Sequence, residues 1–411
     1  MLSSAGYGES TTDMVFGGFS LIAENGELIA EKKPFSDDDM LISEIDVKLL
    51  ASKRLSNTSF KENADCLEII FEQDIIDTTL TRKIEASPFM PQGTDKNTRA
   101  EEILNIQSFG LMKRLEHTGA KKAVIGISGG LDSTLALLVT HKAMKLLNRP
   151  ATDILAVTMP CFGTTKRTRS NSEILCSALG TDFMEVDITA SVKQHFADIK
   201  QSENSYDVTF ENAQARERTQ VIMDIANKQN GMVIGTGDLS ELALGWATYN
   251  GDHMSMYAVN ADVPKTLIRH IVKYVADNSQ QELKAVLLDI LDTPVSPELL
   301  PADNKGDIAQ KTEDLVGPYE LHDFFLYHTL HLRENPKKIY RLALLAFKDY
   351  KSDTILKWLK VFTRRFFTQQ FKRSCLPDGP KVGRVGISPR SDLKMPSDAS
   401  YNLWLKELEE I

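Results

Sequence analysis

The sequence lacks the features of a membrane or secreted protein. No apolar run approaches 18 residues, so a membrane-spanning helix is not expected, and Met1-Leu2-Ser3-Ser4 does not begin a signal peptide. Cysteine is scarce: four residues are widely spaced, and none forms a Cys-x-x-Cys pair. Such cysteines are typical of free thiols in a reducing compartment. We therefore expect a cytoplasmic protein without disulfides.

An excess of positive charge is also missing. The net charge is −9, which argues against broad binding to nucleic acid or to an anionic membrane. Hydrophobic residues make up 42% and charged residues 26% of the chain, as in an ordinary globular protein. A length of 411 residues is enough for two or three domains with a substantial core.

From residue 121 onward, strand-like and helix-like segments alternate. This alternation predicts an α/β fold built on a doubly wound parallel sheet, with a helical region over the last hundred residues. The predicted strands are 122–127, 154–159, 182–188 and 232–234, and the predicted helices lie near 133–147, 168–179, 211–229 and 264–277. Three strands end beside candidate site residues, where ligands bind in such sheets.

The part before residue 99 has a different character. Residues 1–60 contain short apolar runs, of which 28–30 and 41–46 are predicted to be strands, and an Asn25-Gly26 pair that favours a tight hairpin. A helix is expected over 46–55. Residues 61–98 are polar and contain prolines, so they are interpreted as a linker before a helix near 99–117, in which Gly110 is unfavourable. The predicted division is 1–60, 61–98 and 99–411.

A glycine-rich loop connects the first strand of the sheet to a helix. Glycines let backbone N–H groups approach an anion, and the helix N-terminus adds a favourable dipole. The loop runs Gly126-Ile127-Ser128-Gly129-Gly130-Leu131-Asp132-Ser133. It lacks the Gly-Lys-[Ser/Thr] ending of kinase and GTPase loops, so it suits a pyrophosphate leaving group cut from ATP. The alternative interpretation is a glycine-rich turn without a ligand.

A second polar element follows the strand near residue 234, between Gly235 and Asp252. Asp132 and Glu241 are two hard oxygen ligands suited to magnesium, and Thr236 is expected to meet the nucleotide. Trp246 and Tyr249 offer flat faces on which an aromatic ring could stack, and core packing is the alternative interpretation.

Two further stretches carry charge. Asn212 and Arg216 stand at the start of an amphipathic helix, where a solvated face is the alternative to ligand binding. Residues 357–384 hold eight basic residues against one acid, which suggests a local anion site or a subunit contact. Within that stretch Lys357, Lys360, Arg364 and Arg365 are expected to form a solvated face. The histidines do not have zinc-site spacing and are interpreted as structural.

Four of these elements resemble known families. The 126–133 loop resembles the signature of the N-type ATP pyrophosphatases. The Asn212–Arg218 stretch, the Gly235–Thr248 stretch and its continuation Gly251–Thr266 resemble NAD synthetases. The resemblance to this family covers roughly residues 121–385, and Gly6–Gly18 is similar to the late part of the nitrilase-type glutaminase domain of glutamine-dependent NAD synthetases. The resemblance implies an adenine nucleotide alpha hydrolase-like fold and a partial glutaminase remnant in 1–60.

The same resemblance implies an activity and a set of site residues. It implies ATP- and magnesium-dependent amidation of deamido-NAD to NAD through an adenylylated intermediate, with ammonia as nitrogen donor unless a complete glutaminase supplies glutamine. Asn212, Arg216, Glu241, Trp246, Tyr249 and Lys372 are implied to bind deamido-NAD, and Glu313 and Asp314 to lie on a mobile loop. Lys372, Asp132 and Glu241 are implied to be catalytic.

The implied partners are small molecules, and a homodimer or larger homo-oligomer is expected. Three alternatives stay open at this point. The first is another ATP pyrophosphatase, such as a GMP synthetase or a tRNA-modifying enzyme. The others are a non-catalytic remnant subunit and an incompletely folded truncation product.

Overall fold

The structure is a computed structural model that describes two compact units of the chain. The described residues are 1–3, 12–38, 40–57, 59, 67, 69–72, 74, 76, 78–91, 93, 96–163, 166–293 and 316–411. One unit contains Met1–Glu85 and Leu332–Glu334, and the other contains Ala86–His331 and Asn335–Ile411. Within these described ranges, no helix is long and apolar enough to cross a membrane.

The first unit contains a small antiparallel sheet. Its strands are β1 (Leu2–Ser3), β2 (Ser20–Glu24) and β3 (Glu27–Lys32), in the order β1-β2-β3. Asn25 and Gly26 both have positive φ, 51° and 85°, at the turn between β2 and β3. Positive φ at both central residues is what the Asn-Gly pair favours. The predicted hairpin is confirmed.

The predicted strand at 41–46 is wrong. These residues form no strand, and the side chains of Glu44 and Asp46 accept hydrogen bonds instead. Asp46 caps helix α1 (Val47–Ser56) by accepting from the Leu49 amide, and Glu44 accepts from both the amide and the hydroxyl of Thr81. A side chain that satisfies backbone groups, as Asp46 does three residues away, offers the backbone an alternative to strand pairing.

The second unit is an α/β structure followed by a helical region. Its strands are β4 (Lys122–Gly126), β5 (Ile154–Thr158), β6 (Asp182–Glu185), β7 (Gly231–Gly235) and β8 (Tyr257–Ala258). The helices that alternate with them are α2 (Lys96–Thr118), α3 (Leu131–Leu146), α4 (Lys166–Leu179), α5 (Thr189–Ile199), α6 (Val208–Lys228), α7 (Leu239–Leu244), α8 (Lys265–Asp277) and α9 (Gln281–Asp292). The C-terminal helices are α10 (Tyr319–Leu330), α11 (Pro336–Ala346), α12 (Ser352–Thr368), α13 (Gln370–Arg373) and α14 (Asn402–Glu409).

The five strands form one parallel sheet in the order β6-β5-β4-β7-β8. Side chains alternate between its faces, so Ile125 packs with α2, α3, α8 and α9 on one side, while Val124 packs with α5 and α6 on the other. The chain leaves β4 towards β5 but returns to place β7 on the other side of β4. The carboxyl ends of β4 and β7 therefore flank a topological switch point, where ligands bind in open α/β sheets.

The predicted doubly wound α/β fold is confirmed, and its four strands and four helices are found with small shifts at their ends. Gly110 lies inside α2 because a Cβ there would come 2.7 Å from the Tyr257 hydroxyl and 3.1 Å from Pro380. The close approach of these neighbours requires glycine at this position. Two helices, α5 and α9, and the two-residue strand β8 were not predicted.

The C-terminal region is helical, as predicted, and it is packed with aromatic side chains. Phe324, Phe325, Phe362 and Phe366 are buried, and their rings make edge and stacked contacts at 5.7–6.3 Å between centroids. Several predicted features lie outside the described residues, namely residues 6–11 of the Gly6–Gly18 segment, Cys66, and the loop with Glu313 and Asp314. The other three cysteines are free, as expected.

Candidate active site

The glycine-rich loop follows β4 and opens α3. Gly129 has a φ of 81°, a conformation that favours glycine, and Gly130 is the N-cap of the helix. The Ser133 hydroxyl accepts from the Ser128 amide at 3.3 Å, and the Ser128 hydroxyl accepts from the Gly130 amide at 3.2 Å. The loop thus presents backbone N–H groups to small polar oxygens. Oxygens of an anion could take the places that these hydroxyls occupy.

A cluster of three carboxylates surrounds a single ammonium group beside this loop. Lys265 Nζ lies 2.7 Å from Asp132 Oδ2, 2.6 Å from Asp238 Oδ2 and 2.8 Å from Glu241 Oε1. The Lys265 side chain is 6% exposed and that of Asp238 is fully buried, whereas Asp132 and Glu241 are 25% and 24% exposed. The cluster is therefore open to solvent through two of its acids.

Three different elements bring these groups together. Asp132 lies in the first turn of α3, Glu241 lies in α7, and Lys265 is the first residue of α8. Asp238 caps α7 by accepting from the Glu241 amide at 2.9 Å. Asp238 therefore fixes the backbone of Glu241 as well as facing Lys265.

A buried asparagine joins the two loops. Asn260 Nδ2 donates to the carbonyl of Asp132 at 2.9 Å and to that of Thr236 at 3.1 Å. Gln107 orients this amide by donating to Asn260 Oδ1 at 3.1 Å. Thr236, which was predicted to meet the nucleotide, is therefore tied to the Asp132 backbone.

The polar groups behind the cluster are also satisfied. The Ser240 hydroxyl donates to Asp323 Oδ1 at 2.5 Å and accepts from the Lys265 amide at 2.9 Å. Asp323 Oδ2 accepts from the amide and the hydroxyl of Thr266. This network holds the start of α8 against α7, so the backbone of Lys265, from which its side chain extends, is held in place.

Burial and mutual repulsion shift the protonation equilibria of the cluster. Burial raises the pKa of Glu241 to about 7, with Asp132 acting in the same direction and Lys265 opposing. Burial and the neighbouring Glu241 hold the pKa of Asp238 well above its usual value. Burial alone would lower the pKa of Lys265, but the three carboxylates outweigh it and hold that pKa well above the usual lysine value.

The residues present fit a divalent cation. Asp132, Asp238 and Glu241 each offer one oxygen, and these oxygens lie within 4.8 Å of one another. Asp132 Oδ1 is buried and makes no hydrogen bond, and three carboxylates exceed the charge of one ammonium. Carboxylate oxygens are hard ligands of the kind that magnesium takes, and magnesium keeps its other positions for water and phosphate.

The predicted substrate residues of α6 meet the segment that follows α7. The Thr248 hydroxyl donates to Asn212 Oδ1 at 2.7 Å, and Arg216 Nε donates to the Tyr249 carbonyl at 3.2 Å. The Tyr249 ring is 38% exposed and stacks on His253 at 5.2 Å. Tyr249 therefore offers a solvent-facing ring rather than a core contact.

Trp246 has a different environment. The Arg365 guanidinium lies over the Trp246 ring, with its Cζ 3.3 Å from the ring centroid. Arg365 Nε donates to the Leu244 carbonyl at 3.0 Å. The prediction that Arg365 belongs to a solvated basic face is wrong, because this side chain is half-buried against Trp246. One face of the Trp246 ring is thus already covered by a cation.

Lys372 lies beside the same segment. Its Nζ donates to the carbonyls of Gly245 and Ala247 at 2.8 and 2.7 Å, and burial lowers its pKa. The structure thus brings Lys372 to the segment that carries Trp246 and Tyr249. Asp132 and Glu241, in contrast, share a separate cluster centred on Lys265.

Sequence reasoning missed three residues of the site. Lys265 and Asp238 stand in stretches already recognised as similar to NAD synthetases, but no role was assigned to them. Asp238 carried a usable signal, because an Asp three residues before Glu241 at a helix start is a capping pattern. Asn260 lies 128 residues from Asp132, so only the fold brings the two together. The structural interpretation of His253 and His322 is supported, since both are buried and hydrogen-bonded.

A cavity of about 620 Å³ opens at the opposite edge of the sheet. Its lining includes Arg114, Lys121, Gly231 and Met232. Gly231 and Met232 begin β7, whereas the acid cluster lies beyond the end of that strand. This cavity is therefore separate from the candidate active site.

Comparison with known proteins assigns a family to this architecture. A family model described as NAD synthase matches residues 103–360, which is more than half of the chain. The chain is 42% identical to a glutamine-dependent NAD(+) synthetase of Mycobacterium leprae over 99% of its own length. It is 26% identical to a protein of the same name from Thermotoga maritima over 93% of its length.

The chain spans 65% of the Mycobacterium leprae protein and 62% of the Thermotoga maritima protein. The match with the first runs along nearly the whole chain, so it gives no support to the interpretation of residues 1–60 as a truncated glutaminase remnant. A solved glutamine-dependent NAD(+) synthetase from Cytophaga hutchinsonii has the same fold, with a TM-score of 0.62 and 20% identity, over 98% of this chain and 63% of that one.

Proposed function

Because the chain belongs to the NAD synthase family, we propose that it carries out the ATP-dependent amidation of deamido-NAD to NAD. The observation that carries this proposal is the meeting of Asp132, Asp238 and Glu241 around Lys265, next to a glycine-rich helix start at the switch point of the sheet. Neither a GMP synthetase nor a non-catalytic remnant is favoured by the family match.

The proposed reaction overcomes the low reactivity of a carboxylate. The nicotinate carboxylate attacks the α-phosphorus of ATP, and pyrophosphate leaves. Ammonia then attacks the carbonyl carbon, the bond to the AMP oxygen breaks, AMP leaves, and the added nitrogen loses a proton. The amide product is NAD.

The residues near the glycine loop are proposed to stabilise the departing phosphates. The amides of Ser128 and Gly130 would donate to phosphate oxygens in place of the Ser133 and Ser128 hydroxyls that they bond now. The Lys265 ammonium, kept protonated by its neighbours, would oppose the negative charge that develops on those oxygens. These groups are fixed before the reaction, which limits the cost of reorganisation.

Asp132, Asp238 and Glu241 are proposed to hold a magnesium ion, which when bound would neutralise charge on the phosphates. Asn212, Arg216, Tyr249 and Lys372 are proposed to bind the dinucleotide. Their contacts to Thr248, Gly245 and Ala247 support this role because they order one segment beside the exposed Tyr249 ring.

Ammonia is the proposed nucleophile, whereas the names of the relatives state glutamine dependence. A cytoplasmic location and a homo-oligomeric state remain predictions.

The test is to measure pyrophosphate release from ATP with either deamido-NAD or xanthosine monophosphate as acceptor, and with ammonium chloride or glutamine as nitrogen source. We expect release with deamido-NAD and ammonium, together with formation of NAD. Release with xanthosine monophosphate, and none with deamido-NAD, would refute the proposal. An Asp132→Ala variant that forms NAD at the wild-type rate would refute the role of that residue alone.

A further inference from the structure

Arg373 is buried without an acidic partner. Its side chain is 0% exposed, and no carboxylate pairs with it among the residues that the structure describes. Its guanidinium donates to Gln370 Oε1 at 2.8 Å and to the carbonyls of Ala243 and Phe366. Burying an unpaired cation is costly, and burial lowers the pKa of Arg373 to about 9. The arrangement therefore calls for a compensating interaction.

The acceptors of Arg373 supply this compensation. Ala243 lies in the last turn of α7, and Phe366 lies in the last turn of α12. The carbonyls at a helix C-terminus lack partners within the helix and carry the negative end of its dipole. One guanidinium thus binds the carboxyl-terminal ends of two helices at once, and it also lies 4.7 Å from the Phe366 ring centroid.

Other cations close the rest of the same helix end. Arg365 donates to the carbonyls of Leu244 and Gly245, and Lys372 donates to those of Gly245 and Ala247. Arg373 differs from these two because its side chain is fully buried and because it also binds a carbonyl at the end of a second helix, that of Phe366 in α12. The other cations bind the backbone at or just after the last turn of α7.

The helix held in this way carries Glu241 of the acid cluster. With six residues, α7 is too short to be stable by its own hydrogen bonds. Asp238 fixes its amino end, and the contacts of Arg373 fix its carboxyl end against α12. A shift of α7 along its axis would move Glu241 relative to Asp132 and Asp238.

We infer that Arg373 is a positioning residue that holds α7 in register, so that Glu241 completes a divalent-cation site with Asp132 and Asp238. The inference rests on the metal site of the proposed function. It assigns no contact with substrate to Arg373, which acts only through the helix that it binds.

The experiment measures Mn²⁺ binding to the full chain by electron paramagnetic resonance, with Mn²⁺ as the only added ligand. Arg373→Met removes the hydrogen-bond donors while keeping most of the side-chain volume. Arg373→Lys keeps the positive charge but loses the planar guanidinium, whose separate nitrogens reach the two carbonyls. Arg149→Met is the control, because Arg149 also donates to two carbonyls, those of Ala120 and Lys121 just before β4, and pairs with Asp153 at 23% exposure. Melting temperatures are recorded for all variants.

We expect Arg373→Met to weaken Mn²⁺ binding at least tenfold, Arg373→Lys to weaken it about threefold, and Arg149→Met to change it less than twofold. Wild-type Mn²⁺ affinity in folded Arg373→Met would overturn the inference. Equal weakening in Arg149→Met would also overturn it, because general destabilisation would then explain the effect. If Arg373→Met does not fold, Arg373→Lys decides: weakened Mn²⁺ binding supports the inference, and unchanged binding overturns it.

The measurement separates this inference from the proposed function. If the wild-type protein binds Mn²⁺ and the variants weaken that binding as expected, but the wild-type protein forms no NAD, the inference is supported and the activity is refuted. Protein that forms NAD, but whose Arg373 variants bind Mn²⁺ normally, would support the activity and refute the inference.

Discussion

Replacing Lys265 by methionine is expected to destabilise the protein at pH 8 in the absence of divalent cations. The ammonium lies within 2.8 Å of three carboxylates, and its removal leaves their charges facing one another. Removing one partner of a buried ion pair costs about 3–5 kcal/mol of unfolding free energy. Asp132 and Glu241 are 25% and 24% exposed, so solvent relieves part of this cost and favours a value of about 3 kcal/mol.

The expected shift in melting temperature is about 6 °C, taking about 2 °C per kcal/mol for a protein of this size. The direction in which the stabilisation by Lys265 changes with pH follows from the raised pKa of Lys265. Its stabilising contribution is present at neutral pH and is lost only as pH rises through the folded-state pKa. In the variant, protonation of the acids relieves their repulsion, so the deficit shrinks as pH falls. Addition of Mg²⁺ should shrink it as well.

The assay is a thermal melt of wild-type and Lys265→Met protein at pH 6 and pH 8, with and without Mg²⁺. Lys142→Met is the control, because Lys142 forms a more exposed pair with Glu101, which is worth less than about 1 kcal/mol. A Lys265→Met variant that melts within about 1 °C of wild type at pH 8 would refute the reasoning. So would a deficit that neither acid nor Mg²⁺ reduces.

Three further predictions follow from particular contacts. Because burial raises the pKa of Glu241 to about 7, a proton competes with the metal below that pH; Mn²⁺ affinity should fall as pH drops from 8 to 6, and Glu241→Gln should remove this pH dependence while weakening binding. Arg216→Ala should raise the KM for deamido-NAD about tenfold and leave the KM for ATP unchanged in steady-state assays; equal changes in both would contradict its role. Gly245 has a φ of 65°, and a Cβ there would lie 2.5 Å from Gln369 Cβ; Gly245→Ala should cost at least about 1–2 kcal/mol in chemical denaturation, and Gln369→Gly, which removes that Cβ, should relieve only the steric part of the loss.

Much of the fold could be predicted because its signals are local. The Asn25-Gly26 turn, the buried strand Ile154–Thr158 and the glycine loop before α3 each depend on a few adjacent residues. The strand predicted at 41–46 failed because Asp46 bonds to the Leu49 amide and Glu44 to the distant Thr81 amide, which the hydrophobic pattern alone does not reveal.

The site was predicted only in part, since its remaining members depend on distant contacts. Asp132 and Glu241 could be predicted from short motifs, and in the structure both lie against the ammonium group of Lys265. Lys265 could not be recognised as the centre of the cluster, because its role arises when three separate elements meet at the switch point. The basic stretch 357–384 was interpreted as a local anion site or a subunit contact, whereas its members Arg365, Lys372 and Arg373 bind carbonyls at the end of a short helix.

The most direct test of the proposed chemistry follows oxygen atoms. Deamido-NAD labelled with ¹⁸O in its nicotinate carboxylate is incubated with the protein, ATP, Mg²⁺ and ammonium, and the AMP is analysed by mass spectrometry. If the carboxylate attacks the α-phosphorus and ammonia then displaces AMP, each AMP formed carries one ¹⁸O atom. Appearance of the label in pyrophosphate or orthophosphate, with unlabelled AMP, would contradict adenylylation of the carboxylate.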